Sequence, residues 1–423
     1  MLVMFKVKNF MSFRDEAILD LRATSYVQHP SHLLCVNEKY NLLKTVALYG
    51  ANASGKSNFI SAMYFFEKYI FSQFINNKES DSLDQAKQLR YDLEPFALSK
   101  EKDKVSEFDI IFVRNNRQIQ FGYECTNDAV VNEWYYIDDK KVYEREGSKI
   151  TYGSKYTKLL SSYNKVPSER LYISVLEYFL EDEAKKAIMS DFVDFFRQEY
   201  NVYSEILFES TVKGIAGMFG YSPQLLDNRE FREKVEQYLR SIDVGIKRLD
   251  IQTETITNDR TGKQEKTKVI RTVHDIFDES GNAVGEQTFD LPQESSGTLR
   301  FFAFIQNVIK MTAHGGVFIV DELSARLHPL LTKMIVDIFS SEVNTKAQLI
   351  FTTHDVSLLN NDQFRRDEVV FIDKNDRGES KLYALSDLRV REDASFSKDY
   401  LQGKYGAIPI FNYEIMNGGD SNG

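Results

Sequence analysis

Eight consecutive residues of this chain have the types and the spacing of a phosphate-binding loop. Gly50-Ala51-Asn52-Ala53-Ser54-Gly55-Lys56-Ser57 fits the pattern G-x-x-x-x-G-K-[ST] at every fixed position. Glycines in such a loop let backbone N–H groups point inward at phosphate oxygens, and the helix that follows adds partial positive charge. Lys56 would reach the β- and γ-phosphates of a nucleotide, and the Ser57 hydroxyl would bind Mg²⁺. The loop therefore predicts a site for ATP and Mg²⁺.

Two further segments have residue types that suit hydrolysis. Asp321 and Glu322 follow the apolar run 316–320, which would bring Asp321 to the metal and place Glu322 to polarise the attacking water. The apolar run 347–351 is followed closely by His354, whose imidazole could contact the γ-phosphate or hold that water. Acidic residues also end ordinary strands, and a lone histidine is more often a plain surface residue. The combination with the loop favours the catalytic interpretation.

The elements next to the loop are those that the motif requires. Thr45–Tyr49 is predicted to be a short buried strand, and 58–66 to be the first turns of an apolar helix that continues to residue 75. Strand, loop and helix in this order form the phosphate-binding unit. The predicted nucleotide-binding residues of this unit are Gly50, Asn52, Ala53, Ser54, Gly55, Lys56, Ser57 and Asn58.

The rest of the chain indicates an α/β fold with a helical insertion. Strand-like runs lie near the N-terminus and between 108 and 137, where an Asn115-Asn116 turn suggests an antiparallel meander. The spacing of apolar residues becomes helical from about 167 to 242, and strands are predicted again near 249–253 and 268–277. The predicted units are an N-terminal lobe (1–165), a helical insertion (166–243), a C-terminal lobe (244–416) and a disordered tail (417–423).

An aromatic stripe inside the predicted insertion has helical spacing. Phe192, Phe195 and Phe196 favour packing in the core or against a partner helix over any contact with a ligand. An insertion outside the ATP-binding core is free to carry specificity. We therefore expect it to be a lid that contacts a partner, with the stripe as an apolar contact face.

Composition limits the possible partners and the compartment. The net charge of −10 argues against a generally basic surface, so any contact with nucleic acid must be a local patch. Two distant cysteines predict neither a disulfide framework nor a metal site, and no signal peptide or long apolar segment is evident. These features predict a soluble, cytoplasmic protein without membrane contact. Basic clusters that could form a local patch, although such pairs are usually solvated surface, are Lys44, Lys140-Lys141, Lys247-Arg248, Arg365-Arg366 and Arg389–Arg391.

One more segment indicates a family. Ser295-Ser296-Gly297-Thr298 opens a predicted helix, and serine and glycine at a helix N-terminus suit an anion. Five segments, taken in chain order, resemble the ABC-type ATPases of the RecF, SMC and OLD lineage. They are Asn9–Phe13, the loop, the Ser295–Thr298 segment, Asp321-Glu322 with Leu327-His328-Pro329, and Thr352–Asp355. The resemblance implies an ABC-type P-loop NTPase head, with a mixed sheet, flanking helices and an antiparallel meander. It also implies that Ser295 and Gly297 reach the γ-phosphate of ATP bound to a second subunit.

Within that lineage the chain is most similar to compact bacterial ATPases of the RloA-like and PARIS AriA-like kind. These ATPases are encoded beside restriction or abortive-infection genes. The segment 391–409 of this chain resembles the corresponding part of their sequences. The resemblance implies a homodimer or higher oligomer that controls a separately encoded effector, a nuclease, in anti-phage defence. DNA or a phage-derived molecule would be the trigger.

The chain also departs from its relatives. Ser296 stands where transporter-type relatives have glycine, His328 stands in place of their aspartate, and Gln88 is the candidate for a magnesium-sensing glutamine. Sustained heptads of an SMC-type coiled coil are absent, and only about seventy residues follow His354, too few for an OLD-type nuclease domain. Two alternatives stay open. The first is a RecF-like DNA-binding repair ATPase, which the net negative charge of the chain disfavours. The second is an ATP-dependent scaffold with little turnover, which Glu322 disfavours because a scaffold does not need a carboxylate that polarises water.

Overall fold

The computed structural model describes residues 1–37, 40–75, 93–100, 105–204, 223–242, 245–257, 264–391 and 394–409, and the structural statements below refer to these residues. Gln88 and the predicted tail 417–423 lie outside them. Both cysteines are free, Cys35 on the surface and Cys125 in the interior. Within the described part of the chain, no helix has the length and apolar character needed to cross a membrane.

The structure contains both strands and α-helices. The strands are β1 (Leu2–Lys8), β2 (Ala17–Asp20), β3 (Leu33–Asn37), β4 (Tyr40–Leu43), β5 (Thr45–Tyr49), β6 (Ser106–Arg114), β7 (Arg117–Cys125), β8 (Val130–Ile137), β9 (Lys140–Glu146), β10 (Lys149–Tyr152), β11 (Tyr200–Tyr203), β12 (Ile246–Thr257), β13 (Gln264–Phe277), β14 (Ala283–Asp290), β15 (Gly316–Val320), β16 (Ala347–Thr352), β17 (Val369–Lys374) and β18 (Ser380–Ala384). The α-helices are α1 (Lys56–Ile75), α2 (Thr157–Leu160), α3 (Tyr172–Phe179), α4 (Asp182–Ile188), α5 (Ser190–Asp194), α6 (Pro223–Asp227), α7 (Arg229–Ile242), α8 (Ser296–His314), α9 (Pro329–Ser340) and α10 (Phe396–Leu401).

A seven-stranded antiparallel sheet forms one layer, in the order β10-β9-β8-β7-β6-β1-β2. Between β6 and β7, Asn115 and Asn116 both have left-handed backbone conformations, with φ of 49° and 60°. A tight hairpin of the type that matches strand twist requires this conformation at both positions. The predicted antiparallel meander is confirmed.

The central sheet is mostly parallel and positions the candidate site. Its order is β11-β15-β16-β5-β17-β18, and only the β17–β18 pair is antiparallel. All five residues of β5 are buried, because α1 and the antiparallel sheet cover one face while α8 and α9 cover the other. The carboxyl ends of β5, β15 and β16 share one edge, where ligands of open α/β sheets bind. The predicted fold class is therefore confirmed.

The segment 166–243 is more than a helical insertion. After α3, α4, α5 and a π-helical turn over Phe195–Glu199, the chain enters β11, which pairs in parallel with β15. The side chains of Phe192, Phe195 and Phe196 are at most 2% exposed, and the Phe195 ring stacks on Phe112 with centroids 4.0 Å apart. The stripe packs in the core, as its spacing favours. The expectation that it forms an apolar contact face is wrong, because these rings fill the space between α1 and the antiparallel sheet.

A three-stranded antiparallel sheet, β12-β13-β14, precedes α8. It packs on α7 through buried Leu249, Ile270 and Val235, and the Asp278–Asn282 turn joins β13 to β14. The strands predicted near 249–253 and 268–277 are thus confirmed, although both are longer than expected.

Candidate functional site

The two glycines of the loop fit where no side chain could. A Cβ on Gly50 would lie 2.3 Å from the Ile372 carbonyl oxygen. Gly55 has φ of +114°, and its Cβ would lie 2.4 Å from Ser380 Oγ and 2.8 Å from Ser12 Oγ. A side chain at Gly55 would therefore meet both conformational strain and a clash. The close packing behind the loop therefore requires glycine at both positions.

Hydroxyl groups brace the loop from behind. Ser380 Oγ donates to the Ser54 carbonyl at 2.6 Å and lies 2.8 Å from Ser12 Oγ, which accepts from Asn58 Nδ2 at 2.8 Å. The Ser54 hydroxyl is itself buried and has no hydrogen-bond partner in the described structure. A buried hydroxyl without a partner is costly. No local sequence pattern marks Ser380, which is far from the loop along the chain.

Lys56 is a buried cation at the centre of the loop. Its Nζ donates to the carbonyl oxygens of Gly50 and Ala51, both at 2.9 Å, and the residue is 5% exposed. Burial lowers the pKa of Lys56 to about 8, and the nearby carboxylates of Asp321 and Glu322 partly offset that shift. Negative phosphates beside this ammonium would favour its charged form.

Thr352 joins the two carboxylate residues that follow β15. Its Oγ1 donates to Asp321 Oδ1 at 2.7 Å and accepts from the Glu322 backbone N–H at 2.6 Å. Asp321 is buried, whereas Glu322 is exposed and has a left-handed backbone with φ of 53°. The Arg300 guanidinium donates to the Glu322 carbonyl at 2.5 Å. The left-handed turn at Glu322 separates the two carboxylates. Asp321 is buried, and Glu322 lines the cavity described in the next paragraph.

A cavity of about 770 Å³ brings most of the predicted residues together. It is lined by Asn52, Ala53, Gly55, Lys56, Ser57, Asn58, Glu322, His354 and Lys374. Partial burial and the Lys56 ammonium lower the pKa of His354, against the opposing effect of Glu322 and Asp321, so its imidazole is neutral near pH 7. Lys374, at the end of β17, is a cation of this cavity that the sequence reasoning missed. The site combines phosphate-binding donors, a free carboxylate and a neutral imidazole.

Three predicted residues lie next to this cavity without lining it. Gly50 lines an adjoining cleft of about 560 Å³ that shares Asn52 and His354 with it, Ser54 supports the loop, and Asp321 lies behind Glu322. In the described structure, no group of three or more His, Cys, Asp or Glu side chains is placed to hold a metal. Mg²⁺ is commonly bound by one or two carboxylates with phosphate oxygens and water. Asp321 and the half-buried Ser57 hydroxyl fit such a Mg²⁺–nucleotide site.

Ser295 and Gly297 do not line the cavity of their own chain. Ser295 caps α8, its Oγ accepting from the Thr298 N–H at 3.1 Å, and both Ser295 and Ser296 are exposed. A Cβ on Gly297 would lie 3.0 Å from the Arg326 carbonyl, so this helix start lies close to the segment after Glu322. The predicted anion-binding segment therefore faces solvent at the surface of a single chain.

Comparison with protein families identifies the domain. The family described as "AAA domain, putative AbiEii toxin, Type IV TA system" matches residues 46–209 and 217–360, nearly three quarters of the chain. The chain belongs to this AAA family. The matched residues contain every described residue of the cavity lining except Lys374.

Solved structures of SMC head domains are also similar to this chain. One is the SMC head bound to the C-terminal winged-helix domain of ScpA (14% identity, 90% of this chain and 97% of that chain, TM-score 0.45). Another is the SMC head domain from Thermotoga maritima (12%, 92% and 99%, TM-score 0.40). A third, with an extended coiled coil and the C-terminal domain of ScpA, derives from Pyrococcus furiosus (13%, 96% and 98%, TM-score 0.42). No curated protein matches the chain significantly. Identities and scores this low do not bear on substrate or partner.

Proposed function

We propose that this protein binds and hydrolyses ATP, and that its nucleotide state regulates a separately encoded effector. The observation that carries the proposal is the placement of the glycine loop, Lys56, Glu322 and His354 around one cavity. A protein that only bound nucleotide would need the loop, but not a free carboxylate opposite it. Glu322 is the one exposed carboxylate in the described lining, which favours turnover over the scaffold alternative.

Each side chain has a role that follows from its environment. Loop N–H groups and Lys56 bind the phosphates. Ser57 and Asp321 would hold Mg²⁺, which would supply positive charge for the phosphates. Glu322 orients and polarises the attacking water, and the neutral His354 imidazole hydrogen-bonds to the γ-phosphate or to that water. Lys374 adds a second cation at the cavity wall.

We further propose that two copies share each ATP. The Ser295–Gly297 segment carries an N-terminal helix end and an exposed hydroxyl, yet lies outside the cavity of its own chain. In a dimer with a two-fold axis, the Ser295–Gly297 segment of each chain would lie against the ATP that is bound by the phosphate loop of the other chain. The donors at the start of α8 would then stabilise charge that develops on the γ-phosphate.

The biological setting we propose is anti-phage defence in the bacterial cytoplasm, in the RloA-like or PARIS AriA-like manner. The family description names a putative toxin and a Type IV TA system. The effector would be a nuclease, and the trigger DNA or a phage-derived molecule. Gene neighbourhood separates this proposal from a RecF-like repair function: a nuclease-like partner favours the first, and replication genes favour the second.

Mixing two inactive variants tests the shared site. Lys56→Ala removes the phosphate-binding cation, and Ser295→Arg blocks the anion-binding segment without touching the loop of the same chain. In a mixed dimer, the intact loop of the Ser295→Arg chain faces the intact Ser295 of the Lys56→Ala chain. Equal mixing should restore about a quarter of the parental ATPase rate, because half of the dimers are mixed and each has one working site.

The matched control mixes Lys56→Ala with the double variant Lys56→Ala/Ser295→Arg, which leaves no site complete and should stay inactive. Mixed dimers that form, as shown by differently tagged chains, yet hydrolyse no ATP would count against the shared site.

A further inference from the structure

The outer face of the seven-stranded sheet carries an open cleft of about 600 Å³, which shares no described lining residue with the nucleotide-binding cavity. Its described lining belongs to β7, β8, β9 and β10, within a stretch (105–204) that the structure describes without a break in the chain. On β8, Asn132, Trp134 and Tyr136 alternate with buried residues and therefore share this outer face. We call the site the Trp134 cleft. Its described lining is Gln120, Asn132, Glu133, Trp134, Tyr136, Glu144, Arg145, Glu146, Lys149 and Thr151.

The Trp134 indole is held in place by the two strands beside β8. Trp134 is paired with Gly122 on β7, and a Cβ added to Gly122 would lie 2.3 Å from the indole Cζ2. The indole therefore lies against bare backbone and also lines the cleft. Its Nε1–H donates to Asp109 Oδ1 on β6 at 2.6 Å, which fixes the orientation of the ring. The cleft thus contains an aromatic surface that is already positioned before any ligand arrives.

Two carboxylates lie on either side of this ring. In the strand register Asp109 is opposite Gly122, and Glu144 is opposite Trp134. Burial raises the pKa of Asp109 to about 6, against the lowering effect of the hydrogen bonds from Trp134 and Gln120, so most of this carboxyl is ionised at pH 7. An indole whose N–H donates to a carboxylate is more electron-rich, and the face of such a ring attracts cations more strongly.

Glu146 supplies a carboxylate that the fold itself does not use. It lies two residues beyond Glu144 on β9, is exposed, and its side chain has no partner among the described residues. Lys141 is already paired with Glu144 at 2.8 Å, whereas Lys149 is opposite Glu146 in the register without forming an ion pair in the described structure. The described charged side chains around the ring are four carboxylates and two lysines, namely Asp109, Glu124, Glu144, Glu146, Lys141 and Lys149.

We propose that the Trp134 cleft binds an arginine side chain in a basic segment of a partner protein. A planar guanidinium can stack on an indole and donate its N–H groups to a carboxylate at the same time. Glu146 is the diagonal neighbour of Trp134 across β8 and β9, and such pairs lie about 7–8 Å apart, which leaves room for a guanidinium between them. A phosphate or carboxylate ligand would instead be repelled by Glu144 and Glu146. This site does not depend on ATP hydrolysis, so it stands or falls separately from the proposed function.

Trp134 is the single tryptophan of the chain, so its fluorescence reports directly on this cleft. The probe is the peptide Gly-Arg-Gly-Arg-Gly with blocked ends, and its matched control has citrulline, an uncharged residue of the same shape, in place of each arginine. With excitation that selects tryptophan over tyrosine, the arginine peptide should change the emission of the full-length protein saturably. The citrulline peptide should bind about tenfold more weakly, because it loses both a cation–π contact and an exposed ion pair.

Two single variants locate the contact on the surface. Glu146→Gln removes the unused carboxylate of the cleft and should weaken binding of the arginine peptide about threefold. Glu183→Gln removes an exposed carboxylate elsewhere, on α4, and should leave the affinity unchanged. Retained melting temperature and retained binding of a fluorescent ATP analogue would show that both variants are folded.

Four results would overturn the proposal. The first is the absence of a saturable change in Trp134 emission up to about 10 mM arginine peptide, tenfold beyond a millimolar contact. The second is equal affinity for the two peptides, which would make the cleft a site for a neutral polar ligand. Equal weakening by Glu146→Gln and Glu183→Gln would reduce the effect to one of net charge. Finally, Trp134 emission that changes with protein concentration in the absence of peptide would assign this face to a second copy of the chain.

Discussion

Replacing Thr352 by valine should disable the candidate site while preserving the shape of the core. The threonine is fully buried, and its hydroxyl links the Asp321 carboxylate to the Glu322 backbone N–H. Valine fills nearly the same volume but leaves both groups unpaired. Losing a hydrogen bond to a charged group costs about 1.5–3 kcal/mol, and an unsatisfied buried N–H costs about 1–3 kcal/mol. The expected total is about 4 kcal/mol.

That loss falls on the backbone turn that projects Glu322. Glu322 has a left-handed conformation, which a non-glycine residue keeps only where its surroundings hold it. Without the Thr352 hydroxyl, we expect the turn to relax and the Glu322 carboxylate to leave its position over the loop. The rate constant kcat should then fall at least tenfold, while the dissociation constant of ATP changes little because Lys56 and the loop are untouched. Thr352 is thus assigned as a positioning residue.

Three measurements on Thr352→Val and Thr352→Ser test this reasoning. Steady-state ATPase assays give kcat and KM, titration of a fluorescent ATP analogue gives affinity, and thermal unfolding gives the stability difference. Serine retains the hydroxyl and should keep most of kcat despite the missing methyl group. A valine variant with parental kcat and parental melting temperature would refute the role of the hydroxyl. Equal loss in valine and serine variants would point to packing instead.

Further predictions concern the residues that line the cavity. Lys56→Ala should abolish nucleotide binding in the fluorescence titration. Glu322→Gln should retain binding and slow turnover by roughly a hundredfold, so that ATP-bound protein persists after mixing. Parental turnover in Glu322→Gln would contradict the role assigned to Glu322. Partial burial and Lys56 lower the pKa of His354 below its ordinary value of 6.5, so most of the imidazole is neutral near pH 7 and the charged form builds up in more acidic solution. At saturating ATP, where the phosphates favour the charged form of Lys56, the ATPase rate should accordingly hold near pH 7 and fall as the pH drops below 6.5. This acid limb should be absent in His354→Gln, and a parental acid limb in that variant would assign the titration to another group.

Local sequence patterns predicted the elements that carry the site well. Thr45–Tyr49 alternates between the two covered faces of a parallel sheet, so it appears as a continuous apolar run, and the same holds for Gly316–Val320. Because the loop, Asp321 and His354 each follow such a strand, their convergence at one sheet edge was predictable. The bracing contacts were not. Ser380 lies over 300 residues from the loop in sequence, and nothing local distinguishes it from any serine on a strand.

The segment 166–243 shows how a correct local pattern can still mislead. Its helices dominate the periodicity, and the four residues of β11 are too few to compete with that signal. Yet the Tyr203 carbonyl accepts from the Asp321 N–H at 2.9 Å, so this segment directly supports the strand that delivers the carboxylates. Deleting the segment would remove β11 together with the core residues Phe192, Phe195 and Phe196, and loss of activity would then say nothing about a partner.

A fair test of the predicted lid keeps β11 and changes only its surface. Tyr178 and Phe179, at the end of α3, are 52% and 55% exposed and contact each other. Tyr178→Ser/Phe179→Ser should leave melting temperature and ATP affinity near parental values, since exposed side chains contribute little to stability. If the lid contacts a partner or a second copy, the same variant should weaken assembly in sedimentation experiments with ATP. Unchanged assembly and unchanged defence activity would remove the lid role from α3, and would leave the segment its structural task of holding β15.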